Sequence, residues 1–127
     1  MNKQYTKELK TTFLIHAVMM TIFALVYIFF PILWGDLTGC LSNQVTQVFC
    51  MFGTAIFGLA ISSTLAYRQQ TWEAVKVIAQ TEVILNLIFP VMVLLGLLFW
   101  DLPNIGWMYF VVMSGFGIAF NLFYYKA

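Results

Sequence analysis

The stretch KVIAQTEVILNLIFPVMVLLGLLFW, residues 76–100, decides the fold. It is long and apolar enough for one helix to cross the hydrocarbon core of a bilayer, which takes roughly 20 apolar residues. Within it, Glu82, Asn86 and Pro90 recur every four residues and so share one face of the helix. Because a carboxylate that faces lipid is costly, this face is predicted to turn towards other helices and to mark the polar site.

The composition of the whole chain is that of a membrane protein. Of the 127 residues, 62% are hydrophobic and 9% are charged, whereas about a quarter of the residues in a soluble domain are charged. Four spans nearly fill this length, which predicts one transmembrane domain over residues 1–127 and no separate soluble domain. The net charge of +1 gives no electrostatic argument for nucleic acid or an acidic substrate as a partner.

Four apolar segments are predicted to be spans, at about 13–31, 45–67, 76–100 and 107–124. Pro31 ends the first span, and residues 32–44 are predicted to be a loop. The N-terminal residues are predicted to form an interfacial turn of helix that continues into the first span. That span is too long for the apolar core of a signal peptide, and no small-x-small cleavage site follows it, so we expect a retained anchor.

The basic residues predict the orientation. All six Lys and Arg lie near the N-terminus, in or beside the middle loop, or near the C-terminus, and the other two loops have none. By the positive-inside rule, both termini are cytoplasmic. The predicted fold class is therefore an all-α, four-transmembrane-helix antiparallel bundle with both termini cytoplasmic. The small size and the lack of a targeting motif favour a multi-pass protein of a bacterial inner membrane.

One polar side chain in each span is predicted to lie at the same depth. Counted from the basic residue at the inner end of each helix, His16, Ser62 and Glu82 are six residues into the membrane and Asn121 is five. With a rise of 1.5 Å per residue, all four lie roughly 8 to 9 Å from the inner boundary. They are predicted to form a hydrogen-bonded layer, in which His16 and Glu82 are the ionisable members.

This layer has two interpretations. In the first, its side chains satisfy one another and hold the helices in register. In the second, Glu82 and His16 relay protons, or the layer binds a cation or a small polar ligand, since acids within a membrane are often functional. Pro90 is predicted to kink the third span, because it cannot donate to the carbonyl of Asn86. That carbonyl either lines a site or is satisfied by neighbouring helices.

Small residues at helical spacing mark the predicted packing faces. They are Thr54, Gly58 and Ser62 in the second span, and Gly115 with Ala119 and Met113 with Gly117 in the fourth. Such faces let helix backbones approach closely, either within one bundle or between two copies of the chain. Cys40 and Cys50 both fall near the outer side, where they form a disulfide or remain two separate thiols.

The predicted function is that of a non-catalytic membrane subunit or small-ligand-binding bundle, with a buried polar layer in its cytoplasmic half. No G-x-S-x-G, Walker loop, G-x-G-x-x-G or H-E-x-x-H motif occurs, and neither a metal nor a cofactor is predicted. One alternative is a proton- or cation-coupled transporter or channel using Glu82 and His16. A second is a membrane enzyme that acts on a lipophilic substrate with the same two residues. The expected partners are the lipid bilayer and a second copy of the chain or a larger membrane complex.

Overall fold

A computed structural model describes residues 5–39, 43–99 and 102–126, apart from the side chains of residues 43–47. These residues form five helices and no strand: α1 (Lys7–Phe29), α2 (Pro31–Thr38), α3 (Asn43–Arg68), α4 (Trp72–Phe99) and α5 (Ile105–Lys126). Within the described ranges, four helices (α1, α3, α4 and α5) are long and apolar enough to cross a membrane, judged by length and composition. The prediction of an all-helical chain with four apolar spans is confirmed.

The prediction of a loop over residues 32–44 is wrong in its first part, because residues 31–38 form the short helix α2. Phe30, with φ −129° and ψ 42°, interrupts the helical geometry, and Pro31 then opens α2 because proline is tolerated in a first turn. Gly39 ends α2 in a left-handed conformation, φ 75°, which glycine adopts without strain. Trp34 fixes α2 to the bundle, since its Nε1 donates a 3.0 Å hydrogen bond to the Tyr109 hydroxyl of α5.

The helix of the first span begins at Lys7, ahead of the apolar residues, where the sequence predicts an interfacial turn of helix. Thr6 caps α1 by accepting a 3.3 Å hydrogen bond from the main-chain N–H of Leu9. Tyr5 ties this end of α1 to α3, because its hydroxyl donates to the carbonyl oxygen of Ala66 at 2.8 Å. Burial, and to a smaller extent the neighbouring Tyr67, raise the pKa of Tyr5 to about 12, so the hydroxyl keeps the proton that it donates.

The spans pack as two close pairs, α1 with α3 and α4 with α5, and the pairs meet along α1–α5 and α3–α4. A glycine permits the close approach within each pair. A Cβ on Gly53 of α3 would lie 2.7 Å from the Cβ of Tyr27 on α1. A Cβ on Gly117 of α5 would overlap the carbonyl oxygen of Asn86 on α4. Gly58, in the predicted face of the second span, is instead exposed, and a Cβ there would meet no described atom within 4 Å.

Two apolar clusters fill the interior. The first, nearer the N-terminal end of α1, consists of Leu9, Phe13, Ala66, Val75, Ala79, Val83 and Phe120. The second, nearer the C-terminal end of α1, consists of Met20, Ala24, Tyr27, Ile56 and Ala60. On α1, His16 follows the first cluster and precedes the second, and on α3, Ser63 lies between residues of the second and the first. Buried polar side chains thus lie between two apolar regions.

Candidate functional site

Four buried polar side chains from three helices form one hydrogen-bonded group, here called the polar cluster. They are His16 on α1, Ser63 on α3, and Glu82 and Asn86 on α4, and each exposes 4% of its surface or less. Glu82, Asn86 and Pro90 are all buried, because their four-residue spacing places them on one face of α4. The polar cluster therefore sits where α1, α3 and α4 meet.

The hydrogen bonds between side chains of the polar cluster all lead to the carboxylate of Glu82. The Ser63 hydroxyl donates to Glu82 Oε1 at 3.1 Å. Since that hydroxyl has a single hydrogen, His16 Nδ1, 2.9 Å from Ser63 Oγ, is the donor in the other bond. Asn86 Nδ2 donates to Glu82 Oε2 at 3.1 Å and to the main-chain carbonyl oxygen of Glu82 at 2.9 Å. Both carboxylate oxygens of Glu82 therefore accept a hydrogen bond from the protein.

His16 and Glu82 also approach each other directly. His16 Nε2 lies 3.7 Å from Glu82 Oε2, so this approach and the path through Ser63 together form a ring. When Nδ1 carries the hydrogen given to Ser63, Nε2 of a neutral imidazole is an acceptor, as is an ionised Oε2. Two buried acceptors that face each other are unfavourable. One further proton is therefore expected between Nε2 and Oε2. On Nε2 it makes the two side chains an ion pair, and on Oε2 it leaves both neutral.

Aromatic side chains of α5 close the polar cluster on its fourth side. The rings of Phe116 and Phe120 meet the His16 ring edge to face, with centroid distances of 4.8 and 5.3 Å. Such apolar surroundings strengthen each hydrogen bond and make an unpaired polar atom costly. In the part of the chain that the structure describes, every buried side-chain nitrogen or oxygen has a hydrogen-bond partner.

The serine of the polar cluster is Ser63, whereas counting along the sequence predicts Ser62. Ser62 is half-buried, and its hydroxyl lies 3.4 Å from the carbonyl oxygen of Leu59 in its own helix. The proposed stripe of small residues is largely exposed. The buried face of α3 instead follows residues spaced by three and four positions, namely Gly53, Ile56, Ala60, Ser63 and Ala66. That spacing is the signal in the sequence that identifies Ser63.

Asn121 lies apart from these hydrogen bonds. Its Nδ2 donates to the carbonyl oxygen of Gly117 at 2.8 Å, within α5. With Asn86 and Pro90 it lines a groove of about 370 Å³ between α4 and α5. Pro90 offers no amide hydrogen to the Asn86 carbonyl, and this carbonyl faces Gly117, whose lack of a side chain lets α5 approach it.

A cavity of about 220 Å³ lies beside the polar cluster. His16, Glu82 and Asn86 contribute to its wall. The other lining side chains are apolar, and they are Met20, Phe52, Ala55, Ile56, Leu59, Leu85, Phe89 and Met113. The surface that the cavity presents is almost wholly apolar, because the cluster's polar atoms bond to one another. Since apolar cavities of about 150 Å³ take up benzene or xenon, this one has room for a small apolar guest.

The predicted disulfide includes Cys40, which lies outside the described residues. The Sγ atom of its proposed partner Cys50 is 4.0 Å from the carbonyl oxygen of Ile28. Among the residues that the structure describes, no three His, Cys, Asp or Glu side chains lie where they could hold a metal ion.

Substitution of Ser63 by Ala removes the hydroxyl to which both His16 and Glu82 are bonded. We expect Ser63→Ala to lower the free energy of unfolding by about 1–3 kcal/mol, because a buried donor and a buried acceptor lose their partner. The matched control Ser62→Ala should change it by less than about 0.5 kcal/mol. Unfolding in mixed micelles of dodecyl maltoside and SDS, followed by tryptophan fluorescence, measures both. Equal losses would contradict the assignment of Ser63 to the polar cluster.

Comparison of the chain with protein-family models found no match, and neither did comparison with curated proteins or with solved structures. What the protein does is therefore inferred from the polar cluster and the cavity beside it.

Proposed function

We propose that the protein is a non-catalytic integral membrane protein that binds a small, largely apolar ligand in the cavity beside the polar cluster. The observation that carries the proposal is this cavity of about 220 Å³, whose wall comes from α1, α3, α4 and α5. The polar cluster supports it by holding α1, α3 and α4 in register. Glu82 bonds to Ser63 and Asn86, so its role in this proposal is to maintain the shape of the cavity.

We further infer that the four spans form an antiparallel bundle in a cell membrane, with both termini cytoplasmic. Tyr5, just before α1, bonds to Ala66 near the end of α3, which supports opposite directions for these helices. Gln80 near the start of α4 likewise donates a 3.1 Å hydrogen bond to the Tyr124 hydroxyl near the end of α5. These ends also carry the basic residues Lys7, Lys10, Arg68, Lys76 and Lys126. The positive-inside rule places such ends in the cytoplasm.

Reporter fusions test this orientation. Green fluorescent protein fused to the C-terminus should fluoresce in bacterial cells, because it matures in the cytoplasm. Alkaline phosphatase at the same position should be inactive, because it needs the oxidising periplasm. Fusions that replace the chain after Asn104, between α4 and α5, should give the reverse pattern. Active phosphatase at the C-terminus would exclude the proposed orientation.

Xenon tests whether the cavity admits an apolar guest. We expect the ¹³C-methyl resonances of Met20 and Met113, which line the cavity, to shift as the xenon pressure over the detergent-solubilised protein rises. The methyl group of Met51, which is 67% exposed, reports xenon dissolved in the detergent and should shift less.

A variant that fills the cavity provides the control for this measurement. Ile56→Phe places a larger side chain in the wall and should abolish the shifts, whereas Ile61→Phe, at an exposed position of the same helix, should preserve them. If xenon leaves the Met20 and Met113 resonances of the unmodified protein unchanged, the cavity does not take up guests and the proposed function is wrong.

The ring formed by His16, Ser63 and Glu82 favours a second candidate function. A proton shared between His16 and Glu82, with Ser63 as a second path, resembles the chains of ionisable groups that carry protons through membrane proteins. In this candidate the protein moves protons, or a cation in their place, across the bilayer. The ligand-binding proposal instead requires no flux.

Proton flux into liposomes loaded with a pH-sensitive dye separates the two candidates. A proton carrier should acidify the liposomes under an imposed potential, and Glu82→Gln should abolish this flux because an amide does not exchange a proton in the same way. The amide oxygen still accepts from Ser63, and Asn86 Nδ2 keeps its bond to the main-chain carbonyl oxygen of residue 82, so the variant should remain folded. Glu73→Gln, at an exposed ion pair with Lys76, is the control and should leave the flux unchanged. Flux no faster than through protein-free liposomes would rule out the second candidate.

A further inference from the structure

We infer that the ligand of the cavity is a single hydrocarbon chain and that it enters sideways from the bilayer, between α3 and α4. This inference rests on the proposed binding function and adds to it the chemical class of the ligand and its route. It follows from where the cavity opens, from what surrounds the opening and from the chemistry of the lining.

The exposure of the lining residues locates the opening. On the α1 side the wall is closed, since His16 and Met20 each expose 1% of their surface. On the opposite side, Phe52 of α3 and Leu85 of α4 line the cavity and yet are 38% and 39% exposed. Ala55 on α3 is exposed as well. The cavity therefore opens between α3 and α4, which pack less closely than the two helix pairs.

The opening faces the hydrocarbon core of the membrane in the proposed orientation. Ala55 lies thirteen residues from Arg68, and Phe89 lies thirteen residues from Lys76, the basic residues at the inner ends of α3 and α4. At 1.5 Å per residue this places the opening roughly 20 Å from the inner boundary, within a hydrocarbon core about 30 Å thick. A ligand that enters here comes from among the acyl chains and does not pass through water.

The lining selects an apolar and slender ligand. Eight of the eleven lining side chains are apolar, and both carboxylate oxygens of Glu82 are already bonded, one to Ser63 and one to Asn86. A charged ligand would therefore lose its hydration without gaining a partner. The volume of about 220 Å³ is below the 300 to 1,000 Å³ typical of sites for drug-sized ligands. A single hydrocarbon chain is both apolar enough for this lining and slender enough for this volume.

Two aromatic rings stand at the opening. Phe52 of α3 and Phe89 of α4 stack with centroids 6.3 Å apart and an angle of 13° between the ring planes. Both line the cavity, so rotation of either ring changes the width of the opening. Stacking is a modest attraction, and side chains at a surface change rotamer rapidly, which lets a thin chain pass between the rings.

Intermolecular nuclear Overhauser effects test this inference. The protein is deuterated except for ¹³C-labelled methionine methyl groups and placed in nanodiscs of dimyristoylphosphatidylcholine. We expect a cross-peak between the Met20 methyl group and the methylene protons of the lipid chains, although Met20 is 1% exposed. In a second arm the lipid chains are deuterated and protonated n-decane is added. A cross-peak in the second arm alone identifies a free hydrocarbon as the source, and one in the first arm identifies the lipid's own chain.

Variants at the rim test the route. Ala55→Trp should close the opening and reduce the Met20 cross-peak at least tenfold, and Leu85→Trp on the opposite rim should do the same if the first variant fails to fold. Ile61→Trp, at an exposed position of α3 outside the lining, is the control and should leave the cross-peak unchanged. A cross-peak that survives both rim substitutions overturns the route between α3 and α4.

The xenon experiment separates failure of this inference from failure of the proposed function. If Met20 gives no cross-peak in either arm while xenon still shifts its methyl resonance, the cavity binds an apolar guest and the hydrocarbon-chain inference is overturned. If xenon also has no effect, the binding function itself is wrong.

Discussion

The hydrogen bond from Ser63 on α3 to Glu82 on α4 connects the two closely packed helix pairs through their interior, beside the contacts of the His16 ring with Phe116 and Phe120 of α5. Glycines bring α1 against α3 and α4 against α5, whereas α3 and α4 pack less closely. Inside a bilayer no water is present to replace a broken hydrogen bond, so sliding one pair along the other would leave a buried carboxyl group without its partner. This contact therefore helps to fix the position of one pair relative to the other, and with it the cavity between them.

The polar cluster contributes mainly to the choice of one helix register. Placing an acidic side chain in the middle of a spanning helix costs roughly 2.5–3.5 kcal/mol on the scale derived from insertion experiments. Glu82 accepts side-chain hydrogen bonds from Ser63 and Asn86, and bonds to a charged group contribute roughly 1.5–3 kcal/mol each. Two such bonds contribute about 3–6 kcal/mol together, so much of their contribution compensates for burying the carboxyl group. What the cluster provides is a preference for one register over all others, since only that register satisfies the carboxyl group.

The sequence predicts those features that depend on local properties. Four spans follow from composition, because the number of apolar residues that cross a bilayer is fixed by its thickness. The depth of a residue in the membrane is also predictable, because it is counted along one helix. His16 and Glu82 are predicted at the same depth, and His16 Nε2 lies 3.7 Å from Glu82 Oε2. The rotation of a helix about its axis is set by all its neighbours, and for this reason depth alone does not distinguish Ser62 from Ser63. The cavity depends on distances among four helices and has no local signal.

The order of His16, Ser63 and Glu82 along the chain bears on how the protein is made. Domains and segments emerge from the ribosome N-terminus first, so α1 and α3 are synthesised before α4. The imidazole and the hydroxyl have therefore already been synthesised when the carboxyl group of Glu82 emerges from the ribosome. In addition, α4 is the most apolar of the four spans, which favours its insertion despite the carboxyl group. Biosynthesis thus delivers Glu82 after His16 and Ser63 and four residues before Asn86, its partner on the same helix.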